Sequence, residues 1–131
     1  MRQEISLLIV RVILGIIFFF HGLSKYMGGI SNTAAWFESI GLSGMLAYVV
    51  GSLEMVGGAL LIIGLGTKIL SALFAIVMIG AIFTVKLPAG LLGNGQGAGY
   101  ELDLALLAMS VALLVSGNRL FSLDHVLFGE E

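Results

Sequence analysis

The sequence predicts an all-α protein, an integral membrane four-helix bundle with a short interfacial helix between helices 1 and 2. Three observations predict it. Of 131 residues, 59% are hydrophobic and only 11% are charged, with a mean hydropathy of +1.11. An average soluble domain is about 25% charged, so this chain lacks the polar surface to cover a globule in water, and its solvent is lipid. Four apolar runs, 5–23, 45–65, 69–87 and 102–115, are separated by segments rich in glycine, serine, asparagine and the single proline.

The first run, 5–23, fits the roughly 17–25 residues that a membrane helix needs. Arg11 interrupts it and no small-x-small cleavage site follows, so it reads as a retained span and not as a signal peptide. It ends in "FFFHGLSKY", residues 18–26, where ionisable side chains meet the most hydrophobic part of the chain. The next segment contains "SNTAAWFESIG", with a cap-like Ser31/Asn32 followed by Trp36 and Phe37. Trp is typical of headgroup depth, and a short helix over the outer mouth of the bundle is expected here.

The second span, 45–65, carries Gly51 and Gly58 on one helical face with Gly57 beside them, a pattern for close helix approach. A tight "GLGTK" turn leads into the third span, 69–87, which Pro88 ends. The loop "PAGLLGNGQGAG" lacks the G-K-[ST] ending and the preceding strand of a phosphate loop, so it reads as a connector or lid. The fourth span takes in about 100–118, and its Ala105, Ala108 and Ala112 make a second small-residue stripe read as helix packing. The whole chain, 1–131, is then one four-span domain.

Composition excludes several functions. A net charge of −2 and a pI near 5.6 give no footprint for nucleic acid. The absence of cysteine excludes disulfides, a C-x-x-C redox pair, a thiolate nucleophile and a protein-ligated iron–sulfur cluster. An even number of spans puts both termini on one side. That side carries Arg2, Lys68 and Arg119, which favours cytoplasmic termini.

The informative residues are the ionisable ones within the spans. A charge at the bilayer centre costs about 2.5–3.5 kcal/mol on insertion scales, so such groups face the bundle interior and pair, or line a polar cavity. With about 1.5 Å rise per residue, Arg11 lies roughly 9 Å in from one face and Glu54 roughly 13 Å in from the other. In a core about 30 Å thick, an Arg11–Glu54 ion pair is expected, either structural or as the floor of a ligand cavity. Arg11, Gly15, Phe18, Gly22 and Lys25 share one helical face. His21, Lys86, Tyr100, Glu101 and Asp103 all sit at the outer level with Lys25.

Taken singly, each lysine at a helix end has a bland explanation, snorkelling to the interface. Together, two lysines, a histidine and two carboxylates beside aromatic rings suit a small, flat, oxygen-bearing molecule such as a quinone or a phenol. His21 and Glu101 are the expected catalytic proton donors. Arg11, Lys25, Glu54, Lys86, Tyr100 and Asp103 are the expected substrate-binding residues. No H-x-x-H or E-x-x-H spacing supports a metal site, and His125 follows the fourth span on the side opposite His21, which argues against bis-His haem.

"RVILGIIFFFHGLSK", then "SLEMVGGALLIIGLGTK", then a third span ending in Lys86, then "GYELDLALL", resemble the DoxX family of small bacterial four-helix membrane proteins, and within it the catechol-associated oxidoreductases. The match covers nearly the whole chain. The resemblance implies a multi-pass protein of the bacterial cell membrane, linked to quinone or catechol handling. In some members it implies a subunit of a larger respiratory or sulfur-oxidising complex. The family's polar positions fall here on Arg11, Gly22, Lys25, Glu54, Gly57, Lys86 and Glu101. Expected partners are therefore the lipid membrane, a small quinone or phenolic ligand and a redox partner protein, with a homo-oligomer left open. Quinone is the one cofactor suggested. A transporter of small phenolics and a non-catalytic anchor subunit of a redox complex are the alternatives.

Overall fold

The computed structural model describes residues 2–86, 101–117 and 122–128. Helix α1 is Arg2–Met27, α2 is Ile30–Ser39, α3 is Met45–Ile63 and α4 is Thr67–Ala81, which runs on into a π-helical turn, Ile82–Lys86. Helix α5 is Glu101–Ser116 and α6 is Leu123–Phe128. Every described element is helical, as expected. Three helical stretches, Arg2–Met27, Met45–Ile63 and Thr67–Thr84, are long and apolar enough to cross a membrane. Helix α5 has 16 residues, about 24 Å of rise, short of a core about 30 Å thick. The expected fourth span reaches beyond it at both ends, to positions outside the described residues.

The pattern of burial is that of a protein dissolved in lipid. Ile5, Ile9, Ile13, Ile16 and Phe20 form an exposed apolar stripe along α1, and Ile69, Ile76 and Phe83 do the same along α4 and its π-helical extension. The polar side chains Arg11, Glu54, Thr67, Ser71, Asp103 and Ser110 are instead buried. Lipid rewards no polar surface, so these groups find their surroundings inside the bundle.

Glycines set the closest helix contact. Helices α1 and α3 run antiparallel, and a Cβ on Gly15 would stand 2.7 Å from the Gly58 carbonyl oxygen, one on Gly22 2.7 Å from the Gly51 carbonyl oxygen. Gly57 faces α4, where a Cβ would stand 2.8 Å from the tip of Phe74. That room lets the Phe74 ring stack on Phe18, with centroids 3.9 Å apart and planes 8° from parallel. Around this pair Leu14, Leu61, Leu70, Met78, Leu106 and Leu113 complete the core. The predicted glycine face of the second span is thus the α1–α3 seam. The alanine stripe is different: Ala105, Ala108 and Ala112 are exposed, and α5 packs inward through Asp103, Leu106, Ser110 and Leu113. Of those four, Leu106 and Leu113 join the core cluster that holds Phe18 and Phe74.

Helix α2 forms as expected but is not capped by Ser31 or Asn32. Its N-cap is Gly29, at φ +93°, a conformation glycine adopts without steric cost. Asn32 sits in the first turn, and its side-chain amide donates to the Gly28 carbonyl at 3.1 Å. Helix α2 packs against α3 and α1, none of its residues is buried, and Trp36 is exposed. This is the loop end of the bundle.

At the opposite, terminal end, α6 clamps the α3–α4 turn. The Ser122 hydroxyl donates to the Gly64 carbonyl at 2.9 Å, and the Asp124 backbone N–H donates to the same oxygen at 3.0 Å. The Asp124 carboxylate accepts from the Gly66 N–H at 2.8 Å and the Thr67 N–H at 2.9 Å. A carboxylate from α6 therefore satisfies the first amides of α4, which have no partner within their own helix. Residues Arg2, Lys68 and Asp124 share this end, as an antiparallel arrangement of α1, α3 and α4 requires.

Candidate functional site

The centre of the polar cluster is a buried ion pair. Lys25 Nζ donates to Glu54 Oε1 at 2.5 Å. Glu54 is 3% exposed, whereas the Lys25 side chain retains 23% of its surface. Backbone direction explains the pairing. Side chains on a helix lean toward its N-terminus, so Lys25 leans back along α1 while Glu54, on the antiparallel α3, leans toward the loop end. The two meet near the Gly22–Gly51 contact. Gly51 makes room, since a Cβ there would lie 3.7 Å from Lys25 Cδ and 3.3 Å from the Tyr26 ring. Tyr26 closes the flank, with its hydroxyl 2.5 Å from Ser52 Oγ.

The expected Arg11–Glu54 pair does not form. Depth arithmetic brings the two within several ångströms, but their side chains lean in opposite directions. Arg11 is fully buried and points toward the terminal end, where Nη2 donates to the Ile62 carbonyl at 3.4 Å. Its electrostatic neighbours are Asp124 and Glu4. Arg11 thus belongs with the α6 clamp rather than under the site.

Two more predicted residues join Lys25 and Glu54. His21 is exposed, and its Nδ1 lies 2.8 Å from the Ile17 carbonyl. A carbonyl only accepts, so Nδ1 carries the hydrogen and Nε2 is left facing outward as an acceptor in the neutral ring. Asp103, on α5, is 9% exposed, and its Oδ2 has no hydrogen-bond partner among the described residues. Lys25, His21 and Asp103 are all electrostatic neighbours of Glu54. Lys86 closes the π-helical turn and Glu101 opens α5, both at the loop end. Their side chains, Tyr100 and the glycine-rich loop are outside the described residues.

Helices α1, α3 and α5 therefore bring His21, Lys25, Glu54 and Asp103 together, while Arg11 stands apart. Among the described residues, no three His, Asp or Glu side chains are grouped to hold a metal ion. A shallow apolar groove lined by Ile63, Ser122, Leu123 and Val126 lies at the terminal end, away from this cluster. Chemically the cluster offers a neutralised carboxylate, an ammonium with further N–H groups, an outward imidazole nitrogen and one open carboxylate oxygen. It can orient a small polar molecule and hold or accept protons.

Sequence reasoning missed Ser52 beside the site, and Ser122 and Asp124 at the far end. Ser122 and Asp124 did carry a signal, a cap-like serine followed by an acidic residue in the first turn of "SLDHVLF". The distant amides that Asp124 caps could not be read from it.

A family model described as DoxX matches residues 6–87. The chain is 47% identical over 125 residues to a Bacillus subtilis (strain 168) protein named "Putative oxidoreductase CatD", covering 95% of this chain and 89% of that protein. It is 33% identical over 130 residues to the "Uncharacterized membrane protein Rv3486" of Mycobacterium tuberculosis (strain ATCC 25618 / H37Rv), covering 92% of this chain and 80% of the relative. No solved structure matches.

Proposed function

The chain belongs to the DoxX family, and on that footing we propose that it is a membrane oxidoreductase component binding a quinone, catechol or related small phenolic at the loop end of the bundle. The observation that carries this reading is the Lys25–Glu54 pair, with Asp103 and His21 as its neighbours. Ionisable groups inside a membrane domain are costly, and their convergence from three helices is the mark of a site. The oxidoreductase name of the Bacillus relative supports the reaction class.

In this proposal Lys25 stabilises negative charge on a phenolic oxygen, and His21 exchanges protons with the ligand through Nε2, the ring nitrogen that the Ile17 carbonyl does not engage. Glu101 and Lys86, which open α5 and close the π-helical turn, complete the expected set. Electrons pass to or from a redox partner protein. The protein sits in the bacterial cell membrane with both termini in the cytoplasm, so the site faces outward.

Replacing His21 with Phe tests the site directly. The ring is exposed, so the fold should survive while quinone turnover or catechol protection in cells is lost. Lys25→Ala should chiefly weaken ligand binding. Full function and parent-like quinone binding in both variants would reduce these residues to a membrane boundary. Mass spectrometry and absorbance of the gently purified protein should reveal a retained quinone or phenolic.

A further inference from the structure

Given the phenolic site proposed above, we infer that it selects the reduced, hydroxyl-bearing form of its aromatic ligand over the corresponding quinone, and that Asp103 is the residue that makes the selection. The reason lies in which hydrogen bonds remain open. Glu54 Oε1 is already engaged by Lys25. His21 Nδ1 is engaged by the Ile17 carbonyl, which leaves its Nε2 as an acceptor. Asp103 Oδ2 is buried without a partner among the described residues, although α5 brings its carboxylate into the electrostatic neighbourhood of Glu54.

A buried acceptor left without a donor is costly, more so when it is charged. The missing donor is therefore to be sought in the ligand. A catechol or hydroquinone has hydroxyl hydrogens to give to Asp103, and its other oxygen can accept from the remaining N–H groups of Lys25. A quinone has acceptors only. It can satisfy Lys25, but it places a carbonyl lone pair against Asp103 and leaves the carboxylate unanswered. The same ring in two redox states thus meets the site with matched or mismatched hydrogen bonds.

Two ligand series read this on the intact protein in lipid nanodiscs, by anaerobic titration calorimetry. In the first, catechol, guaiacol and veratrole share a ring while their hydroxyls are methylated one at a time. Affinity should fall along the series, by roughly ten- to a hundredfold from catechol to veratrole, the range for losing a hydrogen bond to a charged group. In the second, duroquinol should bind more tightly than duroquinone. Asp103→Leu should flatten both preferences, while Asp103→Asn, which keeps an acceptor oxygen, should retain part of them. Should Asp103→Leu fail to fold, the two series on the parent protein still decide. Equal binding within each pair, or tighter binding of duroquinone, would overturn the selection and leave the phenolic site standing. A preference that survives in Asp103→Leu would overturn the assignment to Asp103. Failure of every probe to bind would overturn the site along with its selectivity.

Discussion

Breaking the Lys25–Glu54 pair from either side should have unequal costs, and the inequality follows from burial. Glu54 is 3% exposed and its short side chain cannot reach water, whereas Lys25 keeps 23% of its surface and a flexible stem near the end of α1. Lys25→Met leaves the buried Glu54 carboxyl without its cation and its hydrogen-bond donor. Losing one partner of a buried pair costs about 3–5 kcal/mol, and the partial exposure of Lys25 points to the lower half of that range. Glu54→Gln leaves a lysine that can swing out and snorkel to the interface, so its cost should be smaller, about 1–2 kcal/mol, near that of a lost charged hydrogen bond. The double variant should be less destabilised than the two single costs together, because it leaves no stranded charge. Coupling of this size is expected for residues in direct contact. Unfolding in mixed detergent micelles, followed by circular dichroism for the parent, both single variants and the double variant, measures all four corners. If Glu54→Gln costs as much as Lys25→Met, or if the two changes are additive, the pair is not the buried, asymmetric contact described above. Arg11→Met serves as the control, since it should be additive with Glu54→Gln.

Helix approach and orientation give two further predictions. Gly58→Ala puts a Cβ 2.5 Å from the Phe19 backbone nitrogen and 2.6 Å from the Gly15 carbonyl, whereas Gly80→Ala meets nothing within 4 Å. The first should destabilise by about 1–3 kcal/mol through overpacking at the α1–α3 seam. The second should be neutral or stabilising by up to about 1 kcal/mol, and equal effects in the same micelle assay would refute the seam. For orientation, single cysteines at Ser31 and Val126, both exposed, have no native thiol to compete with them. An impermeant maleimide applied to intact cells should modify Ser31→Cys and spare Val126→Cys, and the reverse pattern would invert the proposed topology.

The solvent, the helical class and the polar residues that matter are legible in the order of amino acids before any packing is known. Hydropathy is local and additive along the chain, so three of the spans follow from composition alone. Helical spacing was enough to put Arg11, Gly15, Phe18 and Gly22 on the buried face of α1 and to mark Gly51 and Gly58 as a contact surface. It could not say which partner each charge takes. Rise per residue gives the depth of a backbone position, but the reach of a side chain depends on the direction in which its helix runs and on the register against its neighbour. That is why depth suggested Arg11 for Glu54 while the antiparallel α1–α3 seam gave it Lys25. The alanine stripe of α5 failed for a related reason: small residues permit close approach on any face, and it is the packing of Leu106 and Leu113 into the cluster with Phe18 and Phe74 that decides which face turns inward. The α6 clamp was the least legible feature, because Asp124 caps amides 57 and 58 positions away in the chain, a contact that exists only once the helices have packed.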